Sequence, residues 1–264
     1  MNKIWQLVML TFIIVMLAAC GGDGDDESNE TSSTPAPVNA IPTVDFSLLG
    51  DPISSMRVPR GLRTNGNLTV VDKSEFVRDG VLYLAYVVRN DSDEVKESVK
   101  AVVQLVDAED FFLASLNLSS PATHIPPSGL AVLQRSFNLA NYPEFDGLAV
   151  TIVPDVIISE LEINAYPTVV EAIWDVAADK LEAQVSNEHG LPLQTPVAHF
   201  LVYDAEGSLL NAIPATLSEA LPTEGWLPNT SITYTAKIPP LPDQAEVQIG
   251  RVDLLVYGYE YSTQ

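Results

Sequence analysis

Apolar and polar residues alternate along much of this chain. In Lys180–Ser186 every second residue is apolar, and the residues between them are charged or polar. Lys100–Val106 has a similar alternation. A repeat of two residues predicts a strand with one buried face. Turn-forming runs such as Arg89–Glu94 and Asp204–Gly207 separate these segments. About seven short strands in roughly 100 residues predict a two-sheet β-sandwich.

Two stretches of ten residues are nearly the same. AVVQLVDAED spans Ala101–Asp110, and AHFLVYDAEG spans Ala198–Gly207, an offset of 97 residues. An asparagine stands 17 residues before the central aspartate of each stretch. These landmarks are Asn90 and Asp107 in the first copy, and Asn187 and Asp204 in the second. Other matched segments are Thr69–Asp72 with Thr168–Glu171, and the Pro-containing Ile125–Phe137 with Trp226–Ile238. Such matches predict a tandem duplication. The expected organisation is an all-β chain with sandwich domains at residues 43–155 and 156–264.

The second copy contains a motif with a family resemblance. Phe200–Asp204 (FLVYD) resembles the motif that names the FxLYD domain family, with Val202 in place of leucine. Val103–Asp107 (VQLVD) is a looser version, in which Val103 and Val106 replace the aromatic residues. The resemblance covers about 70 residues of each copy and implies tandem immunoglobulin-like sandwiches in an exported bacterial protein. The family brings no catalytic residues to transfer. Its motif is structural: two inward apolar residues, then an aspartate that opens a turn.

The N-terminus has the pattern of an export signal. Lys3 precedes the apolar run Ile4–Ala19, which Cys20 follows. Leu17–Cys20 (LAAC) resembles a bacterial lipobox. This resemblance implies a signal peptide at residues 1–19 and a diacylglycerol on the sulfur of Cys20, which would anchor the protein outside the cytoplasm to the cell membrane or outer membrane. An uncleaved transmembrane helix is the alternative, because the apolar run is close to the minimum spanning length.

Residues 20–42 contain the lipidated cysteine and a run of Gly, Ser, Thr, Pro and acidic residues without apolar periodicity. Such a composition buries too little surface to offset the entropy of ordering the chain. We therefore expect a flexible, acidic tether between the membrane and the first sandwich.

Composition narrows the functional classes. Lys and Arg total 13 against 35 Asp and Glu, a net charge of −22, which makes nucleic acid a poor partner. Cys20 is the only cysteine, so the chain has no disulfide, thiol nucleophile or Cys-rich zinc site. The three histidines lack metal-ligand spacing, and no phosphate-binding loop or nucleophile-elbow motif occurs.

We therefore expect a non-catalytic binding, spacer or scaffolding protein that needs no cofactor. Its expected partners are the membrane, through the lipid on Cys20, and an unknown envelope protein or polymer. Two alternatives remain open: an extracytoplasmic hydrolase with an unrecognised site, and an assembly subunit that pairs a strand edge with a partner.

One basic cluster stands out against the acidic background. Arg57, Arg60 and Arg63 lie in an expected long loop before the first copy. From Asp155 onward the chain carries 3 basic and 16 acidic residues, a net charge of −13, whereas Asp45–Asp146 carries 9 and 14, a net charge of −5. The cluster could bind an anionic polymer or headgroup, dock on the second copy, or remain solvated.

Acidic residues suggest a weak calcium candidate in the first copy. Asp91, Asp93, Asp107 and Asp110 could contribute carboxylate ligands if their loops converge. The second copy lacks most of these carboxylates, so the fold itself does not require such a site.

Two apolar stripes are candidate contact surfaces. Alignment of the copies places Tyr83, Ala85 and Val87 on an outward face, where the second copy has charged or polar residues. We expect this stripe to be covered by the second copy or the arginine segment, or else to bind a partner. Tyr257, Tyr259 and Tyr261 share one strand face, either by edge-strand packing or as a ligand platform.

Overall fold

Fifteen strands and no α-helix occur in residues 56–155, 162–242 and 248–262, which the computed structural model describes. The predicted signal peptide, Cys20 and the tether lie outside these residues. No described segment forms a helix of the length and apolarity that crossing a bilayer requires.

Residues 56–155 form the first sandwich. Its strands are β1 (Gly61–Thr64), β2 (Leu68–Arg78), β3 (Val81–Asn90), β4 (Ser98–Val106), β5 (Phe112–Ser119), β6 (Leu130–Asn138) and β7 (Gly147–Asp155). They make two sheets with the strand orders β1-β7-β4-β5 and β2-β3-β6. The β1–β7 pair is parallel, and the other pairs are antiparallel. Ala101, Val103 and Leu105 of β4 are fully buried, which is the inward face that the two-residue repeat predicts.

Residues 162–242 and 248–262 form the second sandwich. Its strands are β8 (Glu162–Glu171), β9 (Ile173–Asp175), β10 (Lys180–Ser186), β11 (Gln194–Asp204), β12 (Leu209–Pro214), β13 (Thr216–Leu217), β14 (Ser231–Ala236) and β15 (Ile249–Ser262). The strand orders are β12-β11-β15-β8 and β13-β14-β10-β9. Phe200, Val202 and Leu254 are fully buried in a core of their own. The prediction of an all-β chain built from sandwiches is confirmed.

The aspartate of the repeated motif opens the same turn in both copies. Asp107 Oδ1 accepts hydrogen bonds from the N–H groups of Glu109 at 3.0 Å and Phe111 at 2.8 Å. Asp204 Oδ1 accepts one from the N–H of Ser208 at 2.7 Å. These bonds fix the reversal of direction after β4 and β11, because a short acidic side chain can satisfy backbone donors that the turn leaves free.

A buried asparagine ties a loop to a crossing segment in each copy. The Nδ2 of Asn187 donates to the carbonyl oxygens of Leu191 and Trp226, both at 2.8 Å, and its Oδ1 accepts from the N–H of His189 at 3.0 Å. In the first copy, Asn90 Nδ2 donates to the carbonyl oxygens of Glu94, Ile125 and Pro126. Both asparagines are fully buried, so these bonds replace water and hold the loop in one conformation.

One matched segment lies in different sheets in the two copies. In the first copy, Leu68–Asp72 pairs with β3 over Val87–Asn90. In the second copy, Thr168–Glu171 pairs with β15 instead. β9 then pairs with β10 only over Lys180–Glu182, so the rest of that edge of β10 has no strand partner in the described part of the chain. The similarity of Thr69–Asp72 and Thr168–Glu171 therefore does not extend to their pairing.

The two sandwiches share buried apolar contacts. Both lie within one compact unit, Leu49–Gln264. One hydrophobic cluster contains the core of the first sandwich together with residues of β11, β12 and β15, and β12 contacts β2, β3 and β6. Sheet β2-β3-β6 thus packs against sheet β12-β11-β15-β8 through residues of β11, β12 and β15.

Candidate functional site

The predicted outward stripe of β3 lies against the second sandwich. Ala85 and Val87 are each 1% exposed, and Tyr83 is half-buried where its ring stacks on Phe76 at 4.9 Å. Beside them on β2, Ser74 Oγ donates to the carbonyl oxygen of Leu210 at 2.6 Å. The stripe is an internal contact, and the alternative that it binds an outside partner is wrong for Ala85 and Val87.

The opposing face of the second sandwich is apolar as well. Leu201 and Tyr203 of β11 and Tyr257 of β15 are at most 4% exposed and belong to the shared cluster. Tyr257 donates its hydroxyl proton to the carbonyl oxygen of Leu130 at 2.5 Å, and Tyr203 points its hydroxyl at Asp72 Oδ2 at 3.4 Å. Burial raises the pKa of Tyr203 to about 12, so its phenol remains a donor at neutral pH.

Each copy uses a different sheet for this contact, and the unused faces are polar. Leu201 in β11 occupies the position of Gln104 in β4, and Val87 in β3 occupies that of Gln184 in β10. A contact between non-equivalent faces is head-to-tail, and apolar free faces would let further molecules add to the stack. Gln104 and Gln184 lie on the free faces, and their polar side chains disfavour the addition of further molecules. A position-by-position comparison of β4 with β11 would have revealed the second contact face from sequence.

The predicted arginine cluster belongs to the first sandwich. Arg60 Nε lies 2.6 Å from Asp110 Oδ1, and its Nη1 lies 2.8 Å from Asp146 Oδ2. Its Nη2 donates to the carbonyl oxygen of Asp107 at 2.7 Å. The hydrogen bonds that Arg60 donates to the carboxylates of Asp146 and Asp110 raise the pKa of its guanidinium above the usual value. This guanidinium ties the segment before β1 to the Asp107 turn.

The other two arginines also lie on the first sandwich. The guanidinium of Arg57 sits over the ring of Phe111, 5.2 Å from its centroid, a distance that suits a cation–π contact. Arg63 is exposed in β1, which pairs with β7. The expected loop is therefore partly a strand, and docking of Arg57 and Arg60 on the second copy is wrong. Their contacts with neighbouring acidic and aromatic groups of the first sandwich replace it.

The four aspartates of the calcium hypothesis flank opposite ends of β4. Asp91 and Asp93 precede this strand, and Asp107 and Asp110 follow it, so its nine residues separate the pairs by about 30 Å. Asp91 binds Arg89 Nε at 2.5 Å, which lowers the pKa of the carboxyl. In the described ranges no three His, Asp or Glu side chains are grouped to hold a metal ion. The convergence that calcium would need is absent there, and the hypothesis is wrong.

The tyrosine stripe lies on a central strand. β15 is paired on one side with β11 and on the other with β8. Tyr257 and Tyr259 are 2% and 1% exposed, with ring centroids 6.4 Å apart, and Tyr261 pairs with Ile163 through the backbone. The edge-strand interpretation is wrong, and so is an exposed platform for Tyr257 and Tyr259, because the first sandwich covers this face.

One histidine is buried at the contact between the sandwiches. His199 alternates along β11 with Ala198 and Phe200, which face the core of the second sandwich. It therefore lies on the same strand face as Leu201 and Tyr203, which belong to the cluster shared with the first sandwich. It is 7% exposed, and burial lowers its pKa to about 4. The imidazole is therefore neutral in the folded protein at physiological pH.

This burial predicts a loss of stability in mild acid. An unfolded histidine has a pKa of about 6.5, so between pH 6.5 and 4 the unfolded state binds more protons than the folded state. The free energy of unfolding should decrease as the pH is lowered from 6.5 to 4, and His199 should account for a loss of about 3 kcal/mol at pH 4. Denaturant unfolding at several pH values measures it. His199→Phe should remove most of this slope, whereas His189→Gln, at an exposed position, should retain it; equal slopes in the two variants would contradict the assignment.

A groove opens along the unpaired edge of the second sandwich. Pro167–Val170 of β8 and Gln184–Ser186 of β10 line it, Glu188 and His189 continue it, and its volume is about 700 Å³. Val169 is 54% exposed beside it. The groove thus combines exposed apolar surface with strand backbone that lacks a partner on one side in the described part of the chain. No sequence pattern predicted this site. The site is visible from the strand lengths in the structure. β9, which pairs with β10, has 3 residues, whereas β2, which pairs with the equivalent strand β3, has 11.

Comparison with known proteins identifies no family. No protein-family model and no curated protein matches the chain. A crystal structure of Campylobacter jejuni cj0090 is similar with a TM-score of 0.25 and 18% identity, over 36% of this chain and 97% of that one. Red sea bream transglutaminase gives a TM-score of 0.26 and 12% identity, over 75% of this chain and 31% of that one. The secreted serine protease VesC from Vibrio cholerae gives 0.18 and 12%, over 74% and 51%. Similarities at these scores carry no argument about function.

Proposed function

We propose that this chain is a lipid-anchored, extracytoplasmic envelope protein whose two sandwiches are immunoglobulin-like domains of the FxLYD type. It acts by binding or as a spacer and scaffold, without catalysis. Cys20 carries the lipid, and an envelope protein or polymer is the partner.

The buried contact between the sandwiches is the observation that supports this role best. Ala85 and Val87 on one side and Leu201 and Tyr257 on the other are all at most 2% exposed. Domains that meet through such apolar surface are held in one arrangement, whereas polar interfaces within a chain usually permit motion. A body of this kind presents its outer surfaces at fixed positions, as a spacer or scaffold requires.

Removal of the lipid acceptor tests the anchor. Cys20→Ser should release the protein from the membrane fraction or leave its signal uncleaved, because the hydroxyl cannot take the place of the thiol in lipid transfer. Membrane fractionation and mass spectrometry of the N-terminus measure this. Normal processing and full membrane retention of the variant would contradict the proposal.

A matched pair of variants separates the position of the thiol from its presence. Ser32→Cys in the otherwise unchanged chain should remain in the membrane fraction. Cys20→Ser combined with Ser32→Cys should be released, because Ser32 does not follow the LAA sequence. Crosslinking and pull-down from intact cells, with the wild type and the released variant, then identify the envelope partner.

A further inference from the structure

We propose that the open edge of β10 binds an extended, cationic segment of a partner protein, which adds a strand to the β13-β14-β10-β9 sheet. This site specifies how the proposed binding function operates, and it rests on that function only for its location in the envelope.

The first sandwich shows what an occupied edge looks like. There, Leu68–Asp72 of β2 pairs with Val87–Asn90 of β3. The equivalent residues of the second sandwich, offset by 97 positions, are Gln184–Asn187. No described strand pairs with them on this side, because β9 reaches only Lys180–Glu182. Among the described strands, this position of the fold is therefore filled in the first copy and open in the second.

The reason for the opening lies in strand β8. In the first sandwich, β1 pairs with the edge of β7, and β2 is free to pair along the whole of β3. In the second sandwich, β8 pairs with β15 along its length, and the chain reaches the β10 sheet only at Ile173. The groove between Pro167–Val170 and Gln184–Ser186 lies where the missing part of the strand would run.

The size and lining of the groove define the shape of the occupant. Ala183–Asn187 spans about 15 Å, which pairs with about five residues of extended chain. Exposed strand backbone supplies the hydrogen bonds for strand addition, and side-chain pockets supply the specificity. Leu68, on the filling strand of the first sandwich, is 4% exposed, while Val169 at the groove is 54% exposed. The occupant therefore carries apolar side chains at alternate positions.

Charge defines the chemistry of the occupant. Glu188 lines the groove, no lysine or arginine does, and residues from Asp155 onward carry a net charge of −13. Lys180, the basic residue on β10, is already paired with Glu182. A second copy of this chain would bring another net charge of −22 to this surface, which favours repulsion. A cationic strand would form hydrogen bonds with the edge of β10 and would also be attracted by the negative charge of this half of the molecule.

Synthetic strands and the full-length chain in detergent micelles test the proposal. The first probe is a peptide of residues 68–77 in which Asp72 and Glu75 are replaced by lysine. The second has the same apolar residues, keeps Asp72 and Glu75, and has glutamate in place of Lys73. Titration should show binding of the cationic peptide and at least roughly tenfold weaker binding of the acidic one. Hydrogen–deuterium exchange should then slow within Ala183–Asn187.

Two charge reversals place the binding at this edge. Glu188→Lys should weaken the cationic peptide roughly fivefold to tenfold, because it exchanges attraction for repulsion. Glu206→Lys makes the same change of charge in the turn after β11 and should leave the affinity unchanged.

Each of the following results would overturn the proposal: no binding of the cationic peptide, equal affinity for the acidic peptide, no slowing of exchange in Ala183–Asn187, or equal effects of the two reversals. Self-association of the chain with slowed exchange at the same residues would identify a second copy as the occupant and would also overturn it. None of these results changes the fractionation of Cys20→Ser, so the anchor and the edge site fail independently.

Discussion

Leu201→Lys should lower the free energy of unfolding by about 3–5 kcal/mol. Leu201 is 2% exposed in the contact between the sandwiches, among apolar side chains of both. A lysine there must bury an ammonium without a partner or separate the two inner sheets. Denaturant unfolding measures the loss. In a thermal melt of this variant, a second transition at lower temperature would show that the sandwiches separate before either one unfolds.

Gln104→Lys is the matched control for this substitution. Gln104 occupies the same position in the first copy, on a half-buried face that no sheet covers in the described structure. Its replacement should change the free energy of unfolding by about 0.5 kcal/mol or less. If the two lysines cost the same, the buried contact at Leu201 does not form in solution.

Asn187→Ala should lower the free energy of unfolding by about 3 kcal/mol or more, since one buried and two partly buried backbone groups lose their partner at about 1–3 kcal/mol each. These groups are the carbonyls of Leu191 and Trp226 and the N–H of His189. Asn187→Asp should also be strongly destabilising, because a carboxylate oxygen would face the two carbonyl oxygens. Thermal and denaturant unfolding of the full chain measure both variants.

The neighbouring Ser186→Ala supplies the comparison. Within the described residues, Ser186 Oγ bonds the exposed Ser231 Oγ alone, at 2.8 Å, so its loss should cost less than about 1 kcal/mol. A loss for Asn187→Ala that is no larger than this would mean that water reaches the loop and replaces the asparagine.

Local patterns were sufficient to predict strands such as β4 and β10 and the repeated turn. The alternation in Lys180–Ser186 depends only on which face is buried, and the aspartate turn depends only on bonds within a few residues. The stripe of Ala85 and Val87 could be predicted by aligning the two copies, because the second copy has polar residues at the equivalent positions.

Pairing between distant segments was not predictable in this way. Thr69–Asp72 and Thr168–Glu171 have nearly the same sequence, yet the first pairs with β3 and the second with β15. Strand β1 was interpreted as loop, since four residues without alternation pair with β7 far along the chain. The groove at β10 follows from these pairings and has no motif of its own.

The shared contact also sets an order of events during synthesis of the chain. Tyr257 bonds Leu130 across 127 residues, a length that ribosomes add in about ten seconds at about 5–20 residues per second. Once Asp155 is made, all seven strands of the first sandwich are present, but Ala85 and Val87 have no cover until β11 and β15 follow. A nascent chain in this state exposes an apolar sheet face and is prone to aggregate. Correct folding then depends on rapid synthesis of the second half or on a chaperone that covers the face until β11 and β15 are made.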